Sequence, residues 1–552
     1  MFSRISSAAL VLTLGVALAS RQAEACGCFA PPDPTVPIVQ AGERILFAVE
    51  NGVVTAHIQI QYAGDAKDFG WLLPLPSVPV LKLGTEELFT QLINTTQPRY
   101  FLTTTTNGAC SARNFGAPTA SAGFANDSGG SSGSPLVTES SIGPYDYAVL
   151  HAESKDAMFA WLTDNHYFIP TGTDATVGPY IRPGGYFLAL KLKSGKSSGD
   201  IQPVVLQYPS DLPMIPIILT SVAATPNMGV QVWMLGAGRA IPRNYNHVVI
   251  NDGQIDWLNQ AKNYNDVIIR AVSEAPEKHA FATEYAGTSG IMVDQLDRAG
   301  RFGRISDLAR LTDPVDFVEY LFNNGYTATQ SPNTFFAPTL TPLLRGLVLT
   351  ALPMPAGLNV SEDNFLQNLR FFLGSYRTDH PEQFVGWNPA FDAPALAAQI
   401  NEKVVQPALE AGGLFRKFPT LTRLYTTLSP EDMTRDPVFS FNPSLPDVSR
   451  DHTANLVIQC GLFGDSSTSP ATLTTEQGWN FQLSNASTSP QLSGVPAALR
   501  IETLSEEGAP QVLTDNKVAI GAKAAGCSCT VVEPFGLGLV ALVAVLRRRR
   551  QS

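Results

Sequence analysis

Arg44-Ile45-Leu46-Phe47-Ala48-Val49-Glu50-Asn51-Gly52-Val53-Val54-Thr55-Ala56-His57-Ile58-Gln59-Ile60-Gln61-Tyr62 sets the fold class of this 552-residue chain. Asn51-Gly52 divides two β-prone runs, and both turn residues tolerate positive φ, so the stretch predicts a tight β-hairpin. In the second run Val54, Ala56, Ile58, Ile60 and Tyr62 share one face, and Thr55, His57, Gln59 and Gln61 share the other. That alternation predicts one buried face and one solvated face.

Outward from the hairpin, apolar or alternating runs recur at 145–150, 186–192, 203–208, 215–220, 230–235 and 247–250, and predict further strands. Helical spacing interrupts them at 156–162 and 256–272, and the Thr-, Ser- and Gly-rich stretch 103–142 is expected to be an exposed loop. From about 291 the period changes. Segments 315–322, 340–352, 362–376 and 395–414 repeat apolar residues at three and four spacing, with Asp313 and Ser361 as helix starts. After Val448 the chain turns Ser- and Thr-rich with short alternations at 455–458 and 497–503, and no fixed-period repeat occurs.

A chain of this length exceeds one core. The expected class is α+β, with a signal peptide over 1–25 and a mainly antiparallel β-rich domain over 26–290. A helical subdomain over 291–448, a small C-terminal β module or stalk over 449–520 and a terminal membrane-sorting helix within 521–552 follow.

Trp71-Leu72-Leu73-Pro74-Leu75-Pro76 is an apolar strand punctuated by prolines, which remove ladder donors and so belong at a sheet edge or an exit into a turn. Trp71, Trp161, Tyr180 and Tyr186 would make a carbohydrate or peptide platform if they converged on one groove, but core aromatics are the favoured assignment. Several motifs taken together, Cys26-Gly27-Cys28-Phe29, Phe69 to Pro76, Tyr145-Asp146-Tyr147 with Trp161-Leu162, Tyr180 to Lys191, Pro213 to Thr220 and Thr283-Glu284-Tyr285, resemble the bacterial exported family called domain of unknown function 2330. The resemblance runs over most of 26–290 and implies an exported protein of unassigned activity. The Ser/Gly insert and the long C-terminal extension depart from that pattern.

The two ends address the chain to an envelope. Arg4, the apolar stretch from Ala8 to Ala19 and Ala23-Glu24-Ala25 compose a secretory signal with cleavage after Ala25, leaving Cys26 first. At the other end an apolar run of 12 residues, Phe535 to Leu546, would rise only about 18 Å as a helix against a hydrocarbon core of about 30 Å. Arg547, Arg548, Arg549 and Arg550 follow it and belong on the cytoplasmic side. Cys527-Ser528-Cys529, this short apolar run and the Arg cluster, in that order, resemble the MYXO-CTERM tag of myxobacterial surface proteins. That resemblance implies a membrane sorting protease as partner, cleavage near Cys527 and Cys529, and delivery to the cell surface; a plain tail anchor is the alternative.

Composition narrows the partners. Hydrophobic residues make up 44% and charged residues 15%, with a formal net charge of -11, which indicates globular domains with sparse surface charge. Neutralising phosphates needs a basic patch, and the one basic run lies in the tail, so nucleic acid is excluded as a partner. The partners expected are the export machinery, the sorting protease, the membrane through the C-terminal helix, and an extracellular ligand. Export permits disulfides, and Cys110 with Cys460 is one pairing, Cys26 or Cys28 with Cys110 another.

Local catalytic signals fail one by one. Thr55-Ala56-His57 and Asn126-Asp127-Ser128-Gly129-Gly130 look superficially like protease segments, but Ser128 lies in low-complexity sequence, where a nucleophile is not held rigidly. Gly236-Ala237-Gly238 lacks the third glycine and following helix of a dinucleotide loop and is expected to be a turn. Asp65, Asp68, Asp252 and Asp256 lie near turns without the regular acidic loop that calcium needs. No cofactor and no metal ligand set is therefore expected. A non-catalytic binding or structural role at the cell surface is favoured, and the alternative is an extracellular hydrolase assembled in three dimensions from His57, His151, His247 and the Asp residues of the β-rich domain.

Overall fold

The computed structural model describes residues 42–60, 70–108, 136–151, 153–167, 173–194, 201–296, 302–327, 338–461, 465–490 and 492–524. In chain order its strands begin with β1 (Glu43–Glu50), β2 (Val53–Ile60), β3 (Gly70–Leu75), β4 (Val80–Leu83), β5 (Arg99–Asn107), β6 (Leu136–Ile142), β7 (Tyr145–His151), β8 (Tyr186–Leu192), β9 (Val204–Pro209) and β10 (Met228–Gly236). They continue with β11 (Arg239–Pro242), β12 (Asn246–Ile250), β13 (Ala280–Thr288), β14 (Thr420–Leu428), β15 (Phe439–Asn442), β16 (Asp451–Gln459), β17 (Ala471–Thr475), β18 (Asn480–Leu483), β19 (Ala498–Thr503) and β20 (Gln511–Asp515).

The hairpin forms as its turn dictates. Asn51 and Gly52 take φ of 51° and 70°, and β1 and β2 pair from Glu50↔Val53 outward to Glu43↔Ile60. This hairpin lies within a ten-stranded sheet of order β20-β19-β12-β13-β14-β10-β1-β2-β9-β4. Neighbours in it are antiparallel except β1 with β10 and β12 with β13. The architecture is thus mixed, with large, mainly antiparallel sheets and several helices.

The solvated face expected for β2 is buried instead. On one side Ile45, Phe47, Val54, Ala56 and Ile58 pack against Leu73, Leu188 and Leu190 of a second sheet, β3-β8-β7-β6. On the other side Leu46, Ala48, Trp233 and Leu235 meet Leu88, Phe89 and Leu92 of helix Glu86–Thr96 and Phe415 of helix Gln406–Lys417. His57 and Gln59, expected in water, are 4% and 7% exposed. Helix Glu86–Thr96 can cover them because Thr85 caps it through the Glu87 N–H, Glu86 and Glu87 meet the positive end of its dipole, and Leu88, Phe89 and Leu92 share its inner face. Each Leu or Phe side chain so buried stabilises the fold by about 1.5–3 kcal/mol.

The segment order expected along the chain also changes in space. Helices Pro314–Asn323, Pro342–Ala351, Glu362–Gln367 and Ala393–Ile400 form their own core around Phe317, Leu344, Phe365 and Leu396, with Asp313 and Ser361 as side-chain caps. This helical region is an insertion between β13 and β14, which are adjacent antiparallel strands at the centre of the large sheet. Residues 420–428, expected in the helical subdomain, therefore complete the β-rich core. The expected module 449–520 divides likewise: β16, β17 and β18 join β5 in a four-stranded sheet, while β19 and β20 extend the central one. Pairing between strands hundreds of residues apart leaves no local mark in a sequence, whereas the periodicity of each segment does.

Two local expectations shift for identifiable reasons. Segment 215–220, expected as a strand, forms helix Ile217–Thr220, since Pro216 cannot donate to a ladder. Both ends of 103–142, expected as an exposed loop, are ordered in β5 and β6. The expected membrane-sorting helix lies outside the described residues, and among those described no helix is long and apolar enough to cross a membrane.

Candidate functional site

A cavity of about 280 Å³ lies under β3, the edge strand that pairs with β8 alone in the second sheet. Its walls come from the inward faces of β1, β2 and β9, from β3, and from the chain around helix Ile217–Thr220. β3 is held at the edge by its sequence: Pro74 sits opposite Phe187 and offers no N–H for a further strand. Ile45, Phe47, Trp71, Leu75, Tyr208 and Ile215 make much of the wall apolar.

Glu43, the first residue of β1, is the single charged side chain among the described residues that line this cavity. Its Oε1 accepts a hydrogen bond of 2.9 Å from the Thr220 hydroxyl, and its Oε2 is shut off from solvent with no partner. Burial pushes the Glu43 carboxyl up to about 7, the Thr220 hydrogen bond opposes that rise, and the nearby Asp436 charge adds to it. Asp436 is fixed by the Ile218 N–H at 3.0 Å and the Tyr180 hydroxyl at 2.9 Å, and burial raises its carboxyl too. The cavity thus combines an apolar body with one acidic, incompletely satisfied end. A carboxyl titrating near neutrality can act as a general base, but no histidine, lysine or arginine lines this cavity among the described residues. The arrangement suits binding.

The opposite face of the same sheet buries a polar network with a different character. Arg423 donates to Glu284, to Gln231 Oε1 at 2.8 Å and to Thr96 Oγ1 at 3.3 Å, while the Tyr264 hydroxyl donates to Glu284. Arg44 donates to Gln59 at 3.0 Å, and Gln59 donates to Glu86. Arg423 and Glu284 are each 1% exposed, yet every charge has a partner. Burial lowers the Arg44 guanidinium to about 10 and raises the Glu86 carboxyl to about 7. This network locks β1, β2, β10, β13 and β14 to helix Glu86–Thr96 and, through Tyr264, to helix Tyr264–Ser273.

A third polar cluster has the connectivity of a hydroxyl–imidazole–carboxylate triad. His247 Nε2 lies 3.0 Å from Thr283 Oγ1, and His247 Nδ1 lies 3.3 Å from a Glu502 oxygen. The strands impose this, since His247 and Glu502 are cross-strand partners and β12 and β13 run side by side. Arg239, however, donates to Thr283 Oγ1 at 3.0 Å and lies 3.3 Å from His247 Nε2, where an attacked carbonyl would need to sit. Burial lowers the His247 imidazole, with Glu502 opposing that shift. The cluster ties β11 to β12, β13 and β19.

The other residues singled out in the sequence are dispersed. His57 is buried with its Nδ1 unpartnered and its imidazole lowered to about 4 by burial, while His151 is exposed and packs on the Tyr186 ring. Trp161 and Tyr180 pack behind β8 against Phe187, whereas Trp71 and Tyr186 lie on the other side of that sheet, so the four aromatics do not converge. Gly236 and Gly238 form the expected turn, and a Cβ on either would meet Phe441 or Pro443 of the β15 segment within 2.9 Å. Asp252 is a buried structural acceptor for Thr475 and the Gln477 N–H. No cluster of metal-ligating residues occurs among those described.

Cys460 is disulfide-bonded, and its N–H donates to Asn107 at 2.8 Å, in register with the β5–β16 pair. Its expected partner Cys110 lies outside the described residues, as do Asp65, Asp68, Ala25, Cys26, Cys527, Cys529 and Arg547 to Arg550. Glu43, Thr220 and Asp436 went unmarked in the sequence, because a lone acid at a strand start and a loop acid hundreds of residues further on form no motif.

Residues 21–324 match the model of a bacterial family, DUF2330, described as an uncharacterized protein conserved in bacteria. Neither a curated protein nor a solved structure matches the chain.

Proposed function

We propose, from the premise that this chain belongs to the DUF2330 family of uncharacterized bacterial proteins, that it is an exported surface or envelope protein that binds an apolar ligand under β3 and performs no covalent chemistry. The cavity with its single incompletely satisfied carboxyl carries the binding reading. Ligand sites are concave, mostly apolar and oriented by a few polar groups, which is this composition. The signal-like N-terminus and the Cys, apolar and Arg order at 527–550 support export and sorting, and the disulfide at Cys460 fits an oxidising compartment.

Binding is tested by following Trp71 fluorescence while an apolar probe such as octanol is titrated into the full chain, with Trp71→Phe as the control. A saturable change lost in that variant supports the reading, and no saturable change refutes it. Sorting is tested by fractionating cells with Cys527 and Cys529 changed to Ala. Surface delivery that depends on them supports the MYXO-CTERM resemblance, and an intact tail in the inner membrane regardless of them contradicts it.

The Thr283, His247 and Glu502 geometry favours a second reading, an extracellular hydrolase. It predicts ester hydrolysis that Thr283→Val abolishes without loss of fold.

A further inference from the structure

We propose that the ligand of the cavity under β3 is a cationic amphiphile, an apolar chain or ring bearing a primary ammonium group that sits against the Glu43 carboxylate. This rests on the binding reading above and adds the chemistry of the ligand's head.

The walls set the body and Glu43 sets the head. Ile45, Phe47, Trp71 and Leu75 offer apolar surface, while Glu43 Oε2 is a buried acceptor without a donor. A buried polar group without a hydrogen bond is costly, so a ligand that brings a donor gains more there than one that brings only carbon. An ammonium supplies three donors and the compensating charge; a hydroxyl supplies one donor and no charge. An anionic head is disfavoured, because it would meet Glu43 with Asp436 behind it and no cation among the described lining residues. The titratable and polar groups that face Glu43 are Asp436, the Tyr180 hydroxyl hydrogen-bonded to it, and Thr220. Arg44, next in the chain, points to the opposite face and donates to Gln59.

The sign of the pH dependence follows. The ammonium selects the ionised carboxylate, and burial holds the free carboxyl at about 7. Affinity should therefore rise through neutral pH by about tenfold between pH 6 and 8, as the ionised fraction grows.

The experiment titrates octylamine, octanol and octanoate into the full chain by calorimetry at pH 6 and pH 8. The expected result is octylamine tightest, about tenfold tighter at pH 8, with octanol insensitive to pH and octanoate weakest. Glu43→Gln should remove the pH step for octylamine. Thr220→Val keeps the carboxyl but removes its hydrogen bond, so the midpoint of the step should move to higher pH. Octanol or octanoate equalling octylamine at pH 8, or a pH step that survives Glu43→Gln, overturns the ammonium assignment and leaves the binding reading standing. No binding by any of the three overturns both.

Discussion

The two faces of the central sheet each bury a carboxylate, and they treat it in opposite ways. On the helix-covered face Glu284 receives Arg423 and the Tyr264 hydroxyl, and the surrounding amides and hydroxyls are satisfied in turn. On the face toward β3, Glu43 has Thr220 for one oxygen and nothing for the other, beside a cavity. A closed network fixes register and packing. An open one is a place for a ligand, because a buried acceptor left over by the fold is a standing cost that a bound donor relieves.

The comparison breaks most visibly at Arg423. Arg423→Met strands Glu284 in the core and should cost about 3–5 kcal/mol in urea unfolding, while adding Glu284→Met should restore much of the loss. A single variant that unfolds no more easily than the parent would show that the network is not what holds this face.

Glu43→Gln should act the other way. A carboxyl whose folded pKa is raised from 4.5 to about 7 favours the protonated folded state. Its contribution is fully present below about pH 4.5 and is lost as pH rises through about 7. Replacing it should stabilise the protein at pH 8 by on the order of 2–3 kcal/mol and leave pH 4 nearly unchanged. Glu86, also raised to about 7, contributes a decline of the same sign, so the variant's stability should slope less with pH than the parent's without becoming flat.

Smaller effects sharpen the same contrast. Thr85→Ala removes the cap of the helix that seals the Glu284 face and should cost about 1 kcal/mol by thermal melting, without altering ligand binding. Val385→Ser, in the helical insertion and 84% exposed, should change stability by less than about 0.5 kcal/mol.

Much of the face toward β3 was legible in the sequence. Asn51-Gly52 and the alternation after it specify the hairpin, and the prolines after Trp71 place β3 at an edge. Asp313 and Ser361 mark helix starts that the structure caps as expected. The helix-covered face was not legible, since alternation predicts a wet side wherever polar residues recur. His57 and Gln59 are polar yet covered, and the helices that cover them come from 86–96 and 406–417. The return of β14 to the centre of the sheet after the helical insertion is likewise a long-range fact. The site was the least legible part: Trp71 could be singled out, but Glu43 acquires its meaning from Thr220 and Asp436, which only the folded chain brings near.

The most direct test of the account is calorimetric titration of octylamine into the full chain at pH 8, repeated at several temperatures. The account predicts saturable one-site binding with a negative heat-capacity change, the mark of apolar surface buried in the cavity. Absence of saturable heat at every temperature would contradict it.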